Sequence, residues 1–335
     1  MASLRIISAG PALSIQDLGR SGWHAYGLSR GGAVDRTALY EAGALLSQSA
    51  TLSAIEMPLF GGEFLVSGDC RIALTGAPMI AHVNDTPLIW NASHTIFNGQ
   101  KLTIGAAQYG VYGYLSVAGG FDTDPVLGSR SSHLAAGIGE LLQTGDVLPI
   151  GADANPGCSP AYLPDAARFN GGEIRVVPTL HTSLYSESVI TRFENTTFHS
   201  SSRRNRQGMA LDFDGTAFTM DAQHTVLSEP AFAGDIQMTG EGLPFVLQSE
   251  CQSIGGFARI AQVLPCDLPT VTQATPDKPL RFKFITLQEA DLIQESFDDT
   301  LCALIKKVKP LTRDASEISD LLSYQLISGA SNALD

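Results

Sequence analysis

Four polar segments flanked by glycine hold the residue types that do chemistry. The first runs Gln16-Asp17-Leu18-Gly19-Arg20-Ser21-Gly22-Trp23-His24 and continues through Ser29-Arg30-Gly31-Gly32-Ala33-Val34-Asp35-Arg36. Glycines on both sides of an arginine let the backbone approach a ligand while the guanidinium grips an anion in a fork. Asp17 stands where it can orient Arg20, act as a base, or pin the loop as a buried Asp–Arg tie. The second segment carries the Gly119-Gly120 turn and then Gly128-Ser129-Arg130-Ser131-Ser132. Backbone amides, three hydroxyls and an arginine ahead of a candidate helical turn have the composition of an anion or carboxylate site. The third, Ser202-Arg203-Arg204-Asn205-Arg206-Gln207-Gly208, also reads as a solvated basic loop. The fourth, residues 250 to 260, reads as a turn into a helix whose Gly255-Gly256 pair serves close packing; Cys251 within it has no neighbouring histidine to make it a nucleophile.

The elements that must position these segments are mostly short strands. Residues 4–7, 63–66, 71–74, 101–104 and 111–117 are apolar runs bounded by Gly, Asn, Asp or Pro, the spacing of a barrel or sandwich. One helix interrupts them: Asp35 is placed as an N-cap, and Ala38, Leu39, Ala42, Leu45 and Leu46 form one apolar stripe. Residues 151–172 lose periodicity and read as a linker. Strands resume at 173–177, 196–199, 235–238, 244–247 and 280–284, with a short helix expected over 256–263. Thr286 opens a capped helix, with Leu287, Ala290, Ile293 and Phe297 in phase, and a second helix is expected over 315–326. The domains expected are therefore 1–160 and 172–300, two barrel-like halves, followed by a helical tail over 301–335. A faint internal repeat sets residues 67–72 beside 233–238 and Gly119-Gly120-Phe121 beside Gly255-Gly256-Phe257; duplication and chance both account for it.

Composition narrows the partners. The 335 residues carry 34 acidic against 21 basic side chains, a net charge of −13, with 44% apolar residues and 33 glycines. A chain this acidic offers no footprint for nucleic acid, and no apolar run approaches the ~18 residues of a membrane span. The N-terminus lacks a charged leader, so the cytoplasm is the expected compartment. Five scattered cysteines without a C-x-x-C pair argue against a disulfide framework or a zinc site, and seven singly spread histidines give no metal cluster. There is no phosphate loop, no dinucleotide fingerprint and no biotin-acceptor Met-Lys-Met. Any such chemistry is expected from another chain or another fold.

The order of the motifs is more specific than any one of them. Q-D-x-G-R-x-G at 16–22, G-G-A-x-D-R at 31–36, Y-L-x-V-A-G-G-F at 114–121, V-L-G-S-R-S at 126–131, N-R-x-G-x-x-L at 205–211, G-x-I-Q at 234–237 and G-G-F-x-x-I-A at 255–261 together resemble the allophanate hydrolase subunit 2, or biotin-dependent carboxyltransferase-like, family. Its best-defined members are the C subunits of bacterial 5-oxoprolinase. The resemblance implies an all-β fold of cyclophilin-like barrels and work beside an allophanate hydrolase subunit 1-type partner and a LamB/YcsF-like subunit. It implies opening of 5-oxoproline to glutamate, with ATP used by the complex. Carboxyl transfer to urea, with biotin supplied in trans, and a non-catalytic scaffold role are its alternatives. Mapped onto the motifs, Gln16, Asp17, Arg20, Arg130 and Arg206 become the catalytic candidates; Gly19, Gly119, Gly120, Ser129, Ser131, Gly255 and Gly256 become the substrate-binding ones. Cations usual in the family are absent at Tyr112, Glu140 and Ala210, which the scaffold alternative accommodates.

Overall fold

The computed structural model describes residues 2–164, 167–220 and 226–311. The class is mainly β, as expected. In the first half, a six-stranded and a seven-stranded sheet close over one apolar core built from residues such as Leu4, Phe64, Ile72, Leu74, Leu102 and Leu115. The second half closes into a barrel of seven described strands, sealed where Gly172–Val177 runs parallel to Leu280–Phe284. Phe193, Phe198, Phe218 and Phe282 pack at its centre. The two cores are separate clusters.

Helix α1 (Arg36–Leu46) starts where Asp35 accepts from the Ala38 amide, and it buries Ala38, Leu39, Ala42, Leu45 and Leu46. Helix α2 (Glu187–Asn195) seats Phe193 in the barrel, and the short α3 (Leu268–Gln273) lies at the junction of the halves. Helix α4 (Leu287–Cys302) opens with a complete capping box between Thr286 and Glu289. After it the chain returns to the first half, where Lys309–Pro310 pairs with Ala161–Tyr162. The helix expected over 315–326 lies outside the described residues.

The helix expected over 256–263 is instead a strand, Arg259–Val263. It lies between Gly172–Val177 and Asp235–Met238. Ile260 and Ala261, on opposite faces, are both fully buried, so the alternation that marks a half-buried strand is missing. The basic segment at 202–211 is not a solvated loop either: it spans the hairpin formed by Phe198–Arg204 and Gly208–Phe213.

The repeat is also only partly structural. Gly68 and Gly234 both adopt positive φ and both lead into a strand, whereas Gly119 and Gly120 have positive φ and Gly255 and Gly256 do not.

Polar side chains join the halves. Gln273 from α3 accepts from the Val111 and Tyr112 amides at 2.8 and 2.9 Å and donates to Asp35 at 2.8 Å. Arg168, from the connecting segment, holds Asp35 and, with both terminal nitrogens, Glu41.

Candidate active site between the two halves

Asp17 is a hub. Its carboxylate accepts from the Gly19 amide, the Ser129 hydroxyl and the Arg130 amide, each at 2.7 Å, and from the Ser131 hydroxyl. With four donors on two oxygens, none of them from Arg20, Asp17 pins the loop through serine hydroxyls and backbone amides and not as the expected Asp–Arg tie, and it is poorly placed to act as a base. Gly19 belongs to the same knot. It has φ +80°, and a Cβ there would meet the Arg30 and Gly31 carbonyl oxygens at 2.6 and 2.7 Å. Ser129 and Ser131 are therefore spent on Asp17.

Arg20, released from that role by Asp17, turns into the protein. It is 2% exposed, donates through Nη2 to the Ser131 carbonyl, and its Nη1 has no hydrogen-bond partner among the described residues. Burial lowers its pKa, with Asp17 and Glu250 opposing.

This guanidinium lines a cavity of about 380 Å³ between the halves, within the range of small-molecule sites, roughly 300–1,000 Å³. Arg36 and His24 face it from the first half, Gln248 and Ser249 from the second. Arg36 Nε, His24 Nε2, both polar atoms of Gln248 and Ser249 Oγ are shielded from solvent and unpaired among the described residues. Burial, reinforced by Arg30, pulls the Arg36 pKa down to about 10. Desolvated cations beside unpaired amide and hydroxyl groups suit a small ligand bearing a carboxylate or a polarised carbonyl. The Gly31 amide closes the rim by donating to the Ser249 carbonyl at 3.0 Å.

Arg206 sits behind this cavity, not in it. From the barrel hairpin it reaches Glu56, the Glu250 carboxylate at 2.5 Å and the Gly32 carbonyl at 2.7 Å. Burial would lower its pKa, but the two carboxylates outweigh that and raise it; Glu250 is held correspondingly low, Arg206 overcoming the cost of its burial. Its donors are committed to cross-bracing.

The remaining candidates lie elsewhere. Gln16 is fully buried and donates to Ser14 and the Ser132 carbonyl. Arg130 points its guanidinium at Asp122 over a half-exposed pair. Gly119 permits a backbone crossing, since a Cβ there would lie 2.4 Å from the Gly151 carbonyl oxygen. Gly120 turns against Leu52. Gly255 pairs with Glu229 in a two-stranded ribbon, and Gly256 follows it. Of the sequence-derived set, Asp17, Gly19, Arg20, Ser129, Ser131 and the Arg130 backbone come together; Arg36, Gln248 and Ser249 were missed. Arg36 and Ser249 stood inside or beside polar segments, but only the packing of the two halves brings them together.

The sheet pair joined to a barrel, with these motifs edging the cavity between them, falls in the carboxyltransferase class by its sequence. The model for "Carboxyltransferase domain, subdomain A and B" matches residues 26–284, and the chain belongs to that family. Among its relatives, the C subunit of the Escherichia coli 5-oxoprolinase is 33% identical over 86% of this chain and 93% of its own. That of Haemophilus influenzae is 30% identical over 85% and 92%. The crystal structure of the Kluyveromyces lactis urea amidolyase superposes with a TM-score of 0.82 at 23% identity, over 93% of this chain and 21% of that one, and so shares the fold.

Proposed function

We propose that this chain is a substrate-binding subunit of a 5-oxoprolinase-like, ATP-dependent lactam hydrolase that converts 5-oxoproline to glutamate. The observation that carries the reading is the buried, unpaired Arg20 Nη1 in a small cavity that Arg36 also lines, in a chain related along nearly its whole length to the C subunits of two 5-oxoprolinases. One guanidinium would hold the substrate carboxylate. The other would face the lactam carbonyl, where a charge-assisted hydrogen bond gains strength as the oxygen becomes an oxyanion. Gln248 and Ser249 would orient the ring.

In this reading ATP is used by the complex, this sequence carrying no phosphate loop, and the other members are a subunit-1-type partner and a LamB/YcsF-like protein. Coexpression of the three, followed by an assay for glutamate released from 5-oxoproline with ATP, tests the reading. Turnover dependent on this chain supports it; no turnover from a full assembly whose other two members are active with a different C subunit refutes it.

The likeness to urea amidolyase favours one alternative, carboxyl transfer to a small amide. Biotin, in that case, is carried by another protein. The donor set of guanidinium, amide and hydroxyl fits a ureido carbonyl or carboxylate, and Arg20 and Arg36 would hold that group. Carboxylation of urea by this chain with carboxybiotin, and no glutamate release, would select that alternative. A scaffold role predicts a complex whose activity survives Arg20→Ala.

A further inference from the structure

We propose that Ser29, His133 and Glu250 form a nucleophile, base and orienting carboxylate that opens on the inter-half cavity, with Arg20 as its oxyanion donor. The inference rests on the cavity being the substrate site. Ser29 lines it, and its Oγ lies 2.9 Å from His133 Nε2. On the far side of the ring, His133 Nδ1 faces Glu250 Oε2 at 3.9 Å and has no hydrogen-bond partner among the described residues. The three side chains are 5%, 3% and 2% exposed.

Each member is fixed from outside. Glu250 accepts from Arg206 at 2.5 Å and from the Ala135 amide at 3.0 Å, so its carboxylate is anchored from both halves. The His133 backbone is pinned by bonds to Ile138 in both directions. Gly31 lets the parts converge: a Cβ there would lie 3.0 Å from His133 Cδ2 and 3.3 Å from Arg20 Nη1. The unpaired guanidinium nitrogen therefore stands beside the imidazole that holds the serine.

With its proton on Nδ1, toward Glu250, the imidazole offers Nε2 as acceptor to the Ser29 hydroxyl. The charged groups that act on the ring are Glu250, Arg20 and Arg206; burial and the two arginines lower its pKa, Glu250 opposes them, and the net direction is down. A ring neutral near pH 7 is the form a base needs. The chemistry that fits is acyl transfer on a small amide or ester. Ser29 Oγ bonds to the carbonyl carbon as its proton passes to Nε2, and the oxyanion forms beside Arg20 Nη1. The C–N bond then breaks, the nitrogen leaving with the proton from Nε2 and an acyl ester remaining on Ser29. Water adds to the ester, gives a proton to Nε2, and the C–O bond breaks as Oγ recovers that proton, releasing a carboxylic acid.

The test treats the purified full-length chain with an alkyl fluorophosphonate, followed by intact mass and peptide mapping. We expect one adduct, on Ser29, none in Ser29→Ala, and labelling slowed about 10²-fold in His133→Gln, with folding of both variants checked by circular dichroism and thermal melting. In the wild type the labelling rate should fall as acid protonates His133. Labelling of other serines alone, no labelling, or an unchanged rate in a folded His133→Gln variant overturns the proposal. Full glutamate release by a complex containing Ser29→Ala would overturn it while leaving the proposed function standing. Specific Ser29 labelling in a chain that supports no glutamate release would do the reverse.

Discussion

Arg206 of the barrel and Glu56 of the first half form an ion pair across the junction. Glu56 is fully buried and also accepts from the Tyr114 hydroxyl at 2.7 Å and the Val34 amide at 2.8 Å. The pair lies directly behind the cavity, so the position of Glu250, and through it of His133, depends on how the halves meet.

Removing Arg206 leaves Glu56 and Glu250 facing each other without a cation. Breaking a buried pair this way costs about 3–5 kcal/mol. Arg206→Met should lose that much in urea unfolding, and Glu56→Gln in the same chain should restore part of it. A loss under about 1 kcal/mol would show the pair to be dispensable.

Stability should fall as the medium turns acid. His94, His133 and His181 all have pKa values lowered by burial, opposed by the Ile89 carbonyl, Glu250 and Glu229 respectively. Between the folded pKa and the unfolded value near 6.5, the unfolded chain binds more protons. Their contribution is thus complete above about pH 6.5 and is lost as pH falls through the folded pKa. Glu250, also held low, extends the loss below its unfolded value. Glu41 and Asp235, raised by burial, act in the opposite sense and offset part of it. Urea midpoints should drop from pH 7 to pH 5, and less steeply in His133→Gln; a flat profile would contradict this assignment.

Thiol reactivity should divide by burial. Cys158 and Cys302 are exposed, while Cys70, Cys251 and Cys266 are buried. Desolvation pushes those three up to about 11, 12 and 11. At pH 8 a thiol reagent should modify Cys158 and Cys302 in the native protein and reach the others only after unfolding. Rapid modification of Cys251 would contradict its inert placement at the cavity wall.

Gly119 and Gly256 share a family motif pattern but should respond differently to alanine. At Gly119, φ +86° and a Cβ 2.4 Å from the Gly151 carbonyl oxygen make Gly119→Ala costly, about 2 kcal/mol or more. At Gly256 the nearest atom is 3.4 Å away and φ lies outside the left-handed region, so Gly256→Ala should melt near the wild type. Equal melting temperatures for both would contradict the backbone-crossing role of Gly119.

Local features were legible in the sequence. The strands Asp235–Met238, Pro244–Leu247 and Leu280–Phe284 appear where their apolar runs are bounded by turn residues, and the Asp35 and Thr286 caps form as their spacing implies. The strand at 259–263 was hidden because burial on both faces removes its alternation. Helix α2 was missed because its nine residues show only Phe193 as a fully buried contact. The site divides in the same way. Arg20 and Asp17 stood out through flanking glycines, whereas the roles of Arg206 and Arg36 depend on contacts between halves that no local pattern encodes. For Arg206 the partners lie 44 and 150 residues away.

Binding of the lactam in the inter-half cavity of a 5-oxoprolinase-type assembly is tested most directly by comparing ATP-dependent glutamate release from complexes containing the wild-type chain or Arg20→Ala, with assembly of each verified by size-exclusion chromatography. The Arg20→Ala complex should assemble but lose about 10²-fold or more in turnover, the magnitude of losing one oxyanion donor. Undiminished turnover from an assembled Arg20→Ala complex would contradict a substrate site at this cavity.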